Sequence, residues 1–542
     1  MEDRSNMKVE REFISALNKR GVRYIFGIEG GSWIPYMEEM RKTGIEFVLV
    51  ANEASAGIMA DICFRITGTP GVCYATYGPG ATNLTTGVGC AWLDRSAVIA
   101  VTSEFGEEMR GKRVQMNIDH HSLFRGMTKA TFSLNRYRID ESVSLAFDTA
   151  LSEVPGPVHI GIPPDNGERS NRPFPVELTE NTAAPGEPDQ KLIGVFVRML
   201  RHKKKPIIAA GLTSARFKLG DKLKKLADRH RIPVLLTPMA KGLLPHDHAC
   251  YAGVLFHAMS RELREVYRNA DLVIGIGYDP VEFSFEDWAP DVPLINIDTS
   301  SADVSADIDL ALDITGDVGQ ILDLITGMDP FQNGWDLEEI GRVKDTLIDP
   351  PEKTSECPGP VGVLKTLRKK LPGDGILTCD VGAHTHLIGQ IWDVREPGML
   401  LMTNGWSSMG FGVPAAIAAK LFLPGRDVVC VTGDAGFLMM AGEIVTARRL
   451  GLNILFVVLA DRELSLIRIK QDNKGITNYG IDLYRGDLIN EKSFFGVPVI
   501  TVRKSGDLSA AIEAGLKCKG PLIIEAETDG RGYDGLITGE FK

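Results

Sequence analysis

Two aspartates, each at the end of an apolar run, are the residues in this sequence best placed to do chemistry. The run 427–432 passes directly into Gly433-Asp434-Ala435-Gly436-Phe437, and the run 454–459 ends in Ala460-Asp461-Arg462-Glu463. Open α/β sheets bind ligands at the carboxyl ends of their strands, where glycine lets the backbone come close. Positions 436 to 459 make 24 residues, room for one helix and one strand, which brings the second turn back to the same sheet edge. Two carboxylates held there suit a hard divalent cation, and Mg2+ takes few carboxylates and completes its octahedron with phosphate and water. The chemistry suggested is a diphosphate anchor. Gly-Asp at a strand end is by itself a common turn, and the pairing with Asp461 at this spacing gives it meaning.

Three sets of alternating strand-like and helical stretches position these turns. The first has strand-like runs at 24–28, 46–50, 71–75, 97–102 and 158–162, and the second at 206–210, 233–236, 272–275 and 293–297, with a helix over 219–230. The third has them at 375–379, 427–432, 454–459, 499–502 and 522–525. Such alternation predicts parallel βα units. The expected fold is therefore α/β, with three doubly wound parallel-sheet domains at 1–176, 191–328 and 361–542. Polar, Pro-containing stretches at 177–190 and 329–360 are expected linkers, the second holding a helical piece. No repeat is visible in the letters, so any kinship between the sets is structural.

The paired turns resemble the Gly-Asp-Gly and Asn-Asn signature of thiamine-diphosphate (ThDP) dependent enzymes, with Ala435 at the third glycine and Ala460 at the first asparagine. Further stretches carry the likeness over nearly the whole chain: Phe26-Gly27-Ile28-Glu29-Gly30-Gly31, Asn52-Glu53-Ala54-Ser55-Ala56-Gly57, Gly78-Pro79-Gly80-Ala81-Thr82-Asn83, Gly156-Pro157-Val158-His159-Ile160 and Trp406-Ser407-Ser408-Met409-Gly410-Phe411-Gly412. The resemblance makes the three domains pyrimidine-binding, central and diphosphate-binding. It implies Mg2+ on Asp434, Asp461 and the main-chain carbonyl of Glu463. It assigns the cofactor to Glu53, Gly78, Asn83, Val381, Gly382, Ala383, His384, Ser407, Met409, Gly433, Asp434, Ala435, Gly436, Asp461, Leu464, Ser465 and Leu466.

Glu53 is the catalytic residue in that likeness, its carboxyl bonded to the cofactor's aminopyrimidine, where burial would raise its proton affinity. On position alone it reads as an exposed glutamate at a helix start capped by Asn52. Met409 reads as core on composition and as the wedge bending the cofactor by resemblance.

Within the family the chain looks like acetolactate synthase. Gly275-Ile276-Gly277-Tyr278-Asp279-Pro280-Val281-Glu282-Phe283 is similar to the flavin-free catabolic type, so FAD is not expected. The implied activity is decarboxylation of a 2-oxo acid, pyruvate first, with carboligation to a second carbonyl. A decarboxylase or aldehyde lyase of the same family, and a non-catalytic ThDP-fold protein, are the alternatives. Substrate contacts are expected from Gly31, Ser32, Gln115, Met116, His120 and Gln471; Ser32 stands where the catabolic enzymes carry lysine. Arg113, His120, His121 and Arg125 form a cationic stretch that faces either an anionic substrate or water.

Composition excludes other classes. With 44% hydrophobic and 24% charged residues the chain is an ordinary globular one, and its 542 residues exceed a single core. The net charge of -11 without a basic run argues against nucleic acid or anionic membrane as partner, and the apolar runs are too short to span a bilayer. Eight scattered cysteines predict buried thiols, a cytoplasmic location and no structural zinc. The resemblance implies a homodimer at minimum, with a homotetramer common.

Overall fold

The computed structural model describes residues 9–109, 111–135, 138–164, 186–289, 291–351, 356–489 and 492–537. These form three sheets flanked by helices. The first contains β1 (Tyr24–Gly27), β2 (Glu46–Leu49), β3 (Gly71–Ala75), β4 (Val98–Ser103), β5 (Ala130–Ser133) and β6 (Val158–Ile162), all parallel, in the order β2-β1-β3-β4-β6-β5. The second contains β7 (Pro206–Ala210), β8 (Val234–Leu236), β9 (Tyr251–Val254), β10 (Leu272–Ile276), β11 (Leu294–Asp298) and β12 (Leu310–Thr315), in the order β12-β11-β10-β7-β8-β9. The third contains β13 (Ile376–Cys379), β14 (Leu400–Leu401), β15 (Val428–Gly433), β16 (Ile454–Ala460), β17 (Ser493–Phe494), β18 (Val497–Val502) and β19 (Leu522–Glu527). Its order is β14-β13-β15-β16-β19-β18-β17, with only β17 antiparallel.

Interior strands of this kind are covered on both faces, which is why runs such as Ile454–Ala460 are apolar at nearly every position and buried throughout. The strands not expected from sequence are β5, β9, β12, β14 and β17, and all of them lie at sheet edges. β14 and β17 span two residues each and β12 is mostly half-buried, so these lack that signal.

The chain divides into two compact units. The first comprises Met1–Ala184, Gly405–Pro424 and Met440–Leu452 and carries the first sheet; the second comprises the remainder and carries the other two. In the second unit the helical piece expected within 329–360 is Leu337–Ile348, which buries Ile340 and Leu347 in the core. Pro360 opens the helix Pro360–Lys370, a position where its missing N–H costs nothing. Most of the expected linker 177–190 lies outside the described residues; its last residue, Gln190, begins the helix Gln190–Leu200.

In the first unit the helix Glu53–Thr67 is buried at every position from Glu53 to Phe64. It packs against Pro79–Leu93 and Gly412–Phe422. The first contact is backbone against backbone: a Cβ on Gly57 would lie 2.7 Å from Gly87 Cα, and one on Gly87 2.6 Å from Gly57 Cα. Gly57→Ala must therefore part the two helices, and should lower unfolding stability by about 1–3 kcal/mol, as overpacking does. Chemical denaturation checks this, and an unchanged midpoint would show that the seam has slack.

Candidate active site

In the third sheet the winding reverses between β13 and β15, which is the point where open α/β sheets bind ligands. The turns after β13, β15 and β16 are neighbours there. After β13, Asp380 is fully buried, its Oδ1 accepting from Val381 N–H at 2.6 Å and its Oδ2 from the Thr432 hydroxyl at 3.0 Å. The Thr385 hydroxyl accepts from Gly382 N–H at 2.8 Å and donates to the Asp380 carbonyl at 2.5 Å, fixing the first turn of the helix Ala383–Ile391. A Cβ at position 436 would come within 2.6 Å of Asp380 Oδ2, so only glycine fits. His384 is 3% exposed, and its ring edge lies beside Gly382 and Gly433. Burial pushes its pKa down to about 4, and Nε2 is left without a hydrogen-bond partner. A buried orphan nitrogen in a glycine-walled turn fits a bound polar group.

Asp434 opens the helix Asp434–Met439, in which Ala435 has ordinary helical backbone and meets no penalty in place of glycine. Asp434 Oδ1 accepts from Ala435 N–H at 2.8 Å, while Oδ2 accepts from Arg462 N–H at 2.8 Å and the Tyr484 hydroxyl at 3.0 Å. Asp461 Oδ2 accepts from the Ser465 hydroxyl at 2.6 Å. Burial, with the nearby charge of Asp434 adding to it, pushes Asp461 up to about 7. Among the described residues no Lys or Arg head group pairs with either aspartate; Arg462 instead reaches Glu527 and Asp487. Two desolvated carboxylates without a counter-charge fit a divalent cation. Among the described residues no three acidic, His or Cys side chains gather as a metal centre, and the expected set needs only two carboxylates and a main-chain carbonyl.

The Glu463 side chain is committed elsewhere. Arg468, 1% exposed, donates to Glu463 at 2.6 Å, Asp472 at 2.9 Å, Asp534 at 2.8 Å and the Gly530 carbonyl at 2.8 Å. It thereby ties the turn bearing Asp461, Glu463, Leu464, Ser465 and Leu466 to the C-terminal stretch. Residues 481–484 also pair with this turn, through Leu464 N–H to Ile481 O and Leu483 N–H to Arg462 O, which brings Tyr484 to Asp434. Gln471 is occupied by the Tyr479 backbone, donating to its carbonyl at 3.0 Å and accepting from its N–H at 3.2 Å.

In the first unit Asn52 does cap the helix, its side chain accepting from Ala54 N–H at 2.9 Å, yet Glu53 is buried rather than exposed. Asn83 Nδ2 donates to Glu53 Oε2 at 3.0 Å. Gly80 lies against the other oxygen: a Cβ there would sit 3.2 Å from Glu53 Oε1. The backbone before Glu53 is held by Glu443, whose Oε1 accepts from Ala51 N–H at 2.8 Å and Asn52 N–H at 3.1 Å.

Gly78 has φ +52°, and a Cβ there would meet the Met116 carbonyl at 2.7 Å, so Met116 is adjacent while Gln115 is exposed. Its N–H donates to His120 Nε2 at 3.2 Å. Ser32, beside Gly31, shares a 2.8 Å hydrogen bond with Ser103, itself 2.7 Å from the Tyr74 hydroxyl. Met409 is only partly buried, which sets aside its reading as core, and Ser407 takes φ +52°. Of the cationic stretch, Arg113 and Arg125 are exposed, whereas His120 is buried and held neutral by burial.

Glu443, Tyr484 and Arg468 give no signal in the sequence, because each acts on residues that only the fold brings near. Glu443→Ala leaves two part-buried N–H groups without their acceptor, an expected cost of about 1 kcal/mol. Glu443→Gln, which keeps an acceptor, should lose less. Equal stability of the Ala variant and the unaltered protein in urea unfolding would remove Glu443 from this role.

Comparison with known proteins agrees with this geometry. Residues 7–123 match the N-terminal TPP binding domain of thiamine pyrophosphate (thiamine diphosphate) enzymes, 193–325 their central domain and 380–526 their C-terminal TPP binding domain. A probable acetolactate synthase large subunit from Methanocaldococcus jannaschii is 31% identical, over 85% of this chain and 81% of that protein. Acetolactate synthase of Bacillus subtilis is 28% identical and the isozyme 1 large subunit of Escherichia coli 26%, each over 95% of this chain and 92% of the relative. The chain belongs to the thiamine pyrophosphate enzymes, in their acetolactate synthase-like family.

Proposed function

We propose that the chain decarboxylates pyruvate or a close 2-oxo acid and joins the remaining acyl unit to a second carbonyl, using ThDP and Mg2+. The observation that carries this reading is the buried Glu53, with Oε2 held by Asn83 and Oε1 beside Gly80. Bound ThDP supplies the electron sink that decarboxylation of a 2-oxo acid needs. Glu53 Oε1, the oxygen that Asn83 does not occupy, would hold a proton against the aminopyrimidine of the bound cofactor. Asp434, Asp461 and the Glu463 carbonyl are the proposed Mg2+ ligands, and neutral His384 lies at the diphosphate turn.

The reading is without FAD. The second sheet has the strand order typical of dinucleotide-binding domains. At its reversal point between β7 and β10 the two turns approach closely: Thr213 N–H donates to Gly277 O at 3.1 Å, and a Cβ on Gly211 would lie 2.6 Å from the same oxygen. The neutral hydroxyl cluster of Ser32, Ser103 and Tyr74 offers no cation to a second carboxylate, and so favours an aldehyde acceptor as the second reading. A homodimer or homotetramer in the cytoplasm completes the proposal, in keeping with eight cysteines free of disulfides. Among the described residues no helix is long and apolar enough to cross a membrane.

The test is a product screen with ThDP and Mg2+, offering pyruvate and other 2-oxo acids alone and with aldehydes. Carbon dioxide and a ligated product are expected from a colourless protein, with turnover abolished by EDTA and restored by Mg2+. No carbon dioxide from any 2-oxo acid would point to a non-catalytic ligand-binding protein. Glu53→Gln should lower turnover at least about 100-fold with Mg2+ and ThDP affinity little changed; full turnover would rule out the carboxyl's proton role.

A further inference from the structure

Three adjacent strands of the first sheet, β4, β6 and β5, carry polar side chains that join into one line. Gly78 N–H donates to His120 Nε2 at 3.2 Å. His120 Nδ1 lies 2.9 Å from Thr102 Oγ1, which lies 2.8 Å from His159 Nε2. His159 Nδ1 lies 2.7 Å from Thr131 Oγ1, which lies 2.6 Å from His121 Nδ1. His121 Nε2 then meets Glu104 Oε2 at 3.0 Å, with Ser133 Oγ at 3.2 Å.

The two ends fix the direction of every bond between them. An amide N–H only donates, so His120 Nε2 bears the lone pair and a neutral ring carries its hydrogen on Nδ1. That hydrogen goes to Thr102, whose own hydrogen goes to His159 Nε2. His159 therefore has its hydrogen on Nδ1 and gives it to Thr131, whose hydrogen goes to His121 Nδ1. His121 keeps its hydrogen on Nε2 and donates to the Glu104 carboxylate, an acceptor. Thus a backbone amide at one end and a carboxylate at the other agree on one sense.

Placement gives the line two distinct ends. His159 and Thr102 are fully buried and His120 nearly so. Burial holds both His159 and His120 below the ordinary imidazole range, keeping them neutral. Phe124 stacks on His159 at 4.4 Å and Asp119 caps the short helix bearing both His120 and His121. At the other end the Glu104 and His121 side chains are 13% and 23% exposed, so they reach water. Gly78 caps the helix whose Gly80 and Asn83 touch Glu53.

We propose that His120, Thr102, His159, Thr131, His121 and Glu104 form a proton relay between the buried turn at Gly78 and water. When the Gly78 bond opens, a proton taken up at His120 Nε2 displaces the Nδ1 hydrogen to Thr102. The hydrogens of Thr102, His159, Thr131 and His121 each advance one bond in turn, and Glu104 ends protonated and passes the proton to water. The same hops reversed deliver a proton inward. No carbon bond changes and nothing is oxidised or reduced. The relay serves the proposed chemistry, which must exchange protons with solvent, but its existence is measurable without turnover.

The experiment is 15N NMR of histidine-labelled protein, assigned with single His→Gln variants. His120 and His159 should be Nδ1–H tautomers and His121 the Nε2–H tautomer, against the usual Nε2–H preference. Thr131→Val removes one hydroxyl while suiting a strand, and Thr102→Val is the second variant should the first not fold. Either should move the His159 tautomer signal. With the 2-oxo acid that the unaltered enzyme turns over, the variant should be slowed about tenfold or more at an unchanged KM and be rescued by added imidazole, whereas the unaltered enzyme ignores buffer concentration. Nε2–H at His120 and His159 would overturn the relay, as would variant turnover that is unimpaired, or impaired yet insensitive to imidazole. Were no substrate found, the tautomers alone would still decide it.

Discussion

A carboxylate placed in a dry helix seam is the constraint on which the first unit depends. Glu53 begins a helix that is buried from Glu53 to Phe64, so its surroundings must satisfy it. Asn83 donates to it, Gly80 leaves room beside it, and Glu443 pins the two amides preceding it. The first two require the helix Pro79–Leu93 to approach closely, and the bare Gly57 and Gly87 contact leaves room for that approach. Packing and acid–base chemistry are here one problem. The helix sits where it does because small residues admit it, and the carboxyl is positioned because the helix sits there.

The second unit handles buried charge differently. Asp434 and Asp461 have hydrogen bonds but, among the described residues, no side-chain cation, and burial raises the proton affinity of both. Arg468 does the reverse for the neighbouring acids, gathering Glu463, Asp472 and Asp534 around one guanidinium. Planar and always protonated, arginine can serve several acceptors at once without titrating. Carboxylates gathered by a guanidinium thus stand beside two that are held, among the described residues, by hydrogen bonds alone.

What could be read from the letters follows from the same physics. The run Ile454–Ala460 is legible because a strand covered on both faces must be apolar, and the turn after Val428–Gly433 is legible because glycine and aspartate crowd a strand end. The edge strand Leu310–Thr315 is half-exposed and was not. Glu443 was invisible because the amides it serves lie 392 and 391 residues away in sequence. His120 and His121 are legible as a cationic pair and His120 as an expected substrate contact, but nothing in their spacing discloses that Thr102, Thr131 and His159 surround them from three strands. Asn52 is legible as a cap, but a cap says nothing about whether the next residue is buried.

The first and third sheets are wound alike. Numbered from the first strand of each, both run 2-1-3-4 across the centre, and beyond it the first ends 6-5 and the third 7-6-5 with its added antiparallel strand. No repeated motif survives in the letters to announce this. Agreement in connectivity without agreement in residues shows that one winding can be specified by quite different letters. One sheet's helices shelter a lone glutamate, and the turns of the other carry a pair of aspartates. A single architecture thus serves two unlike arrangements of buried charge in one polypeptide.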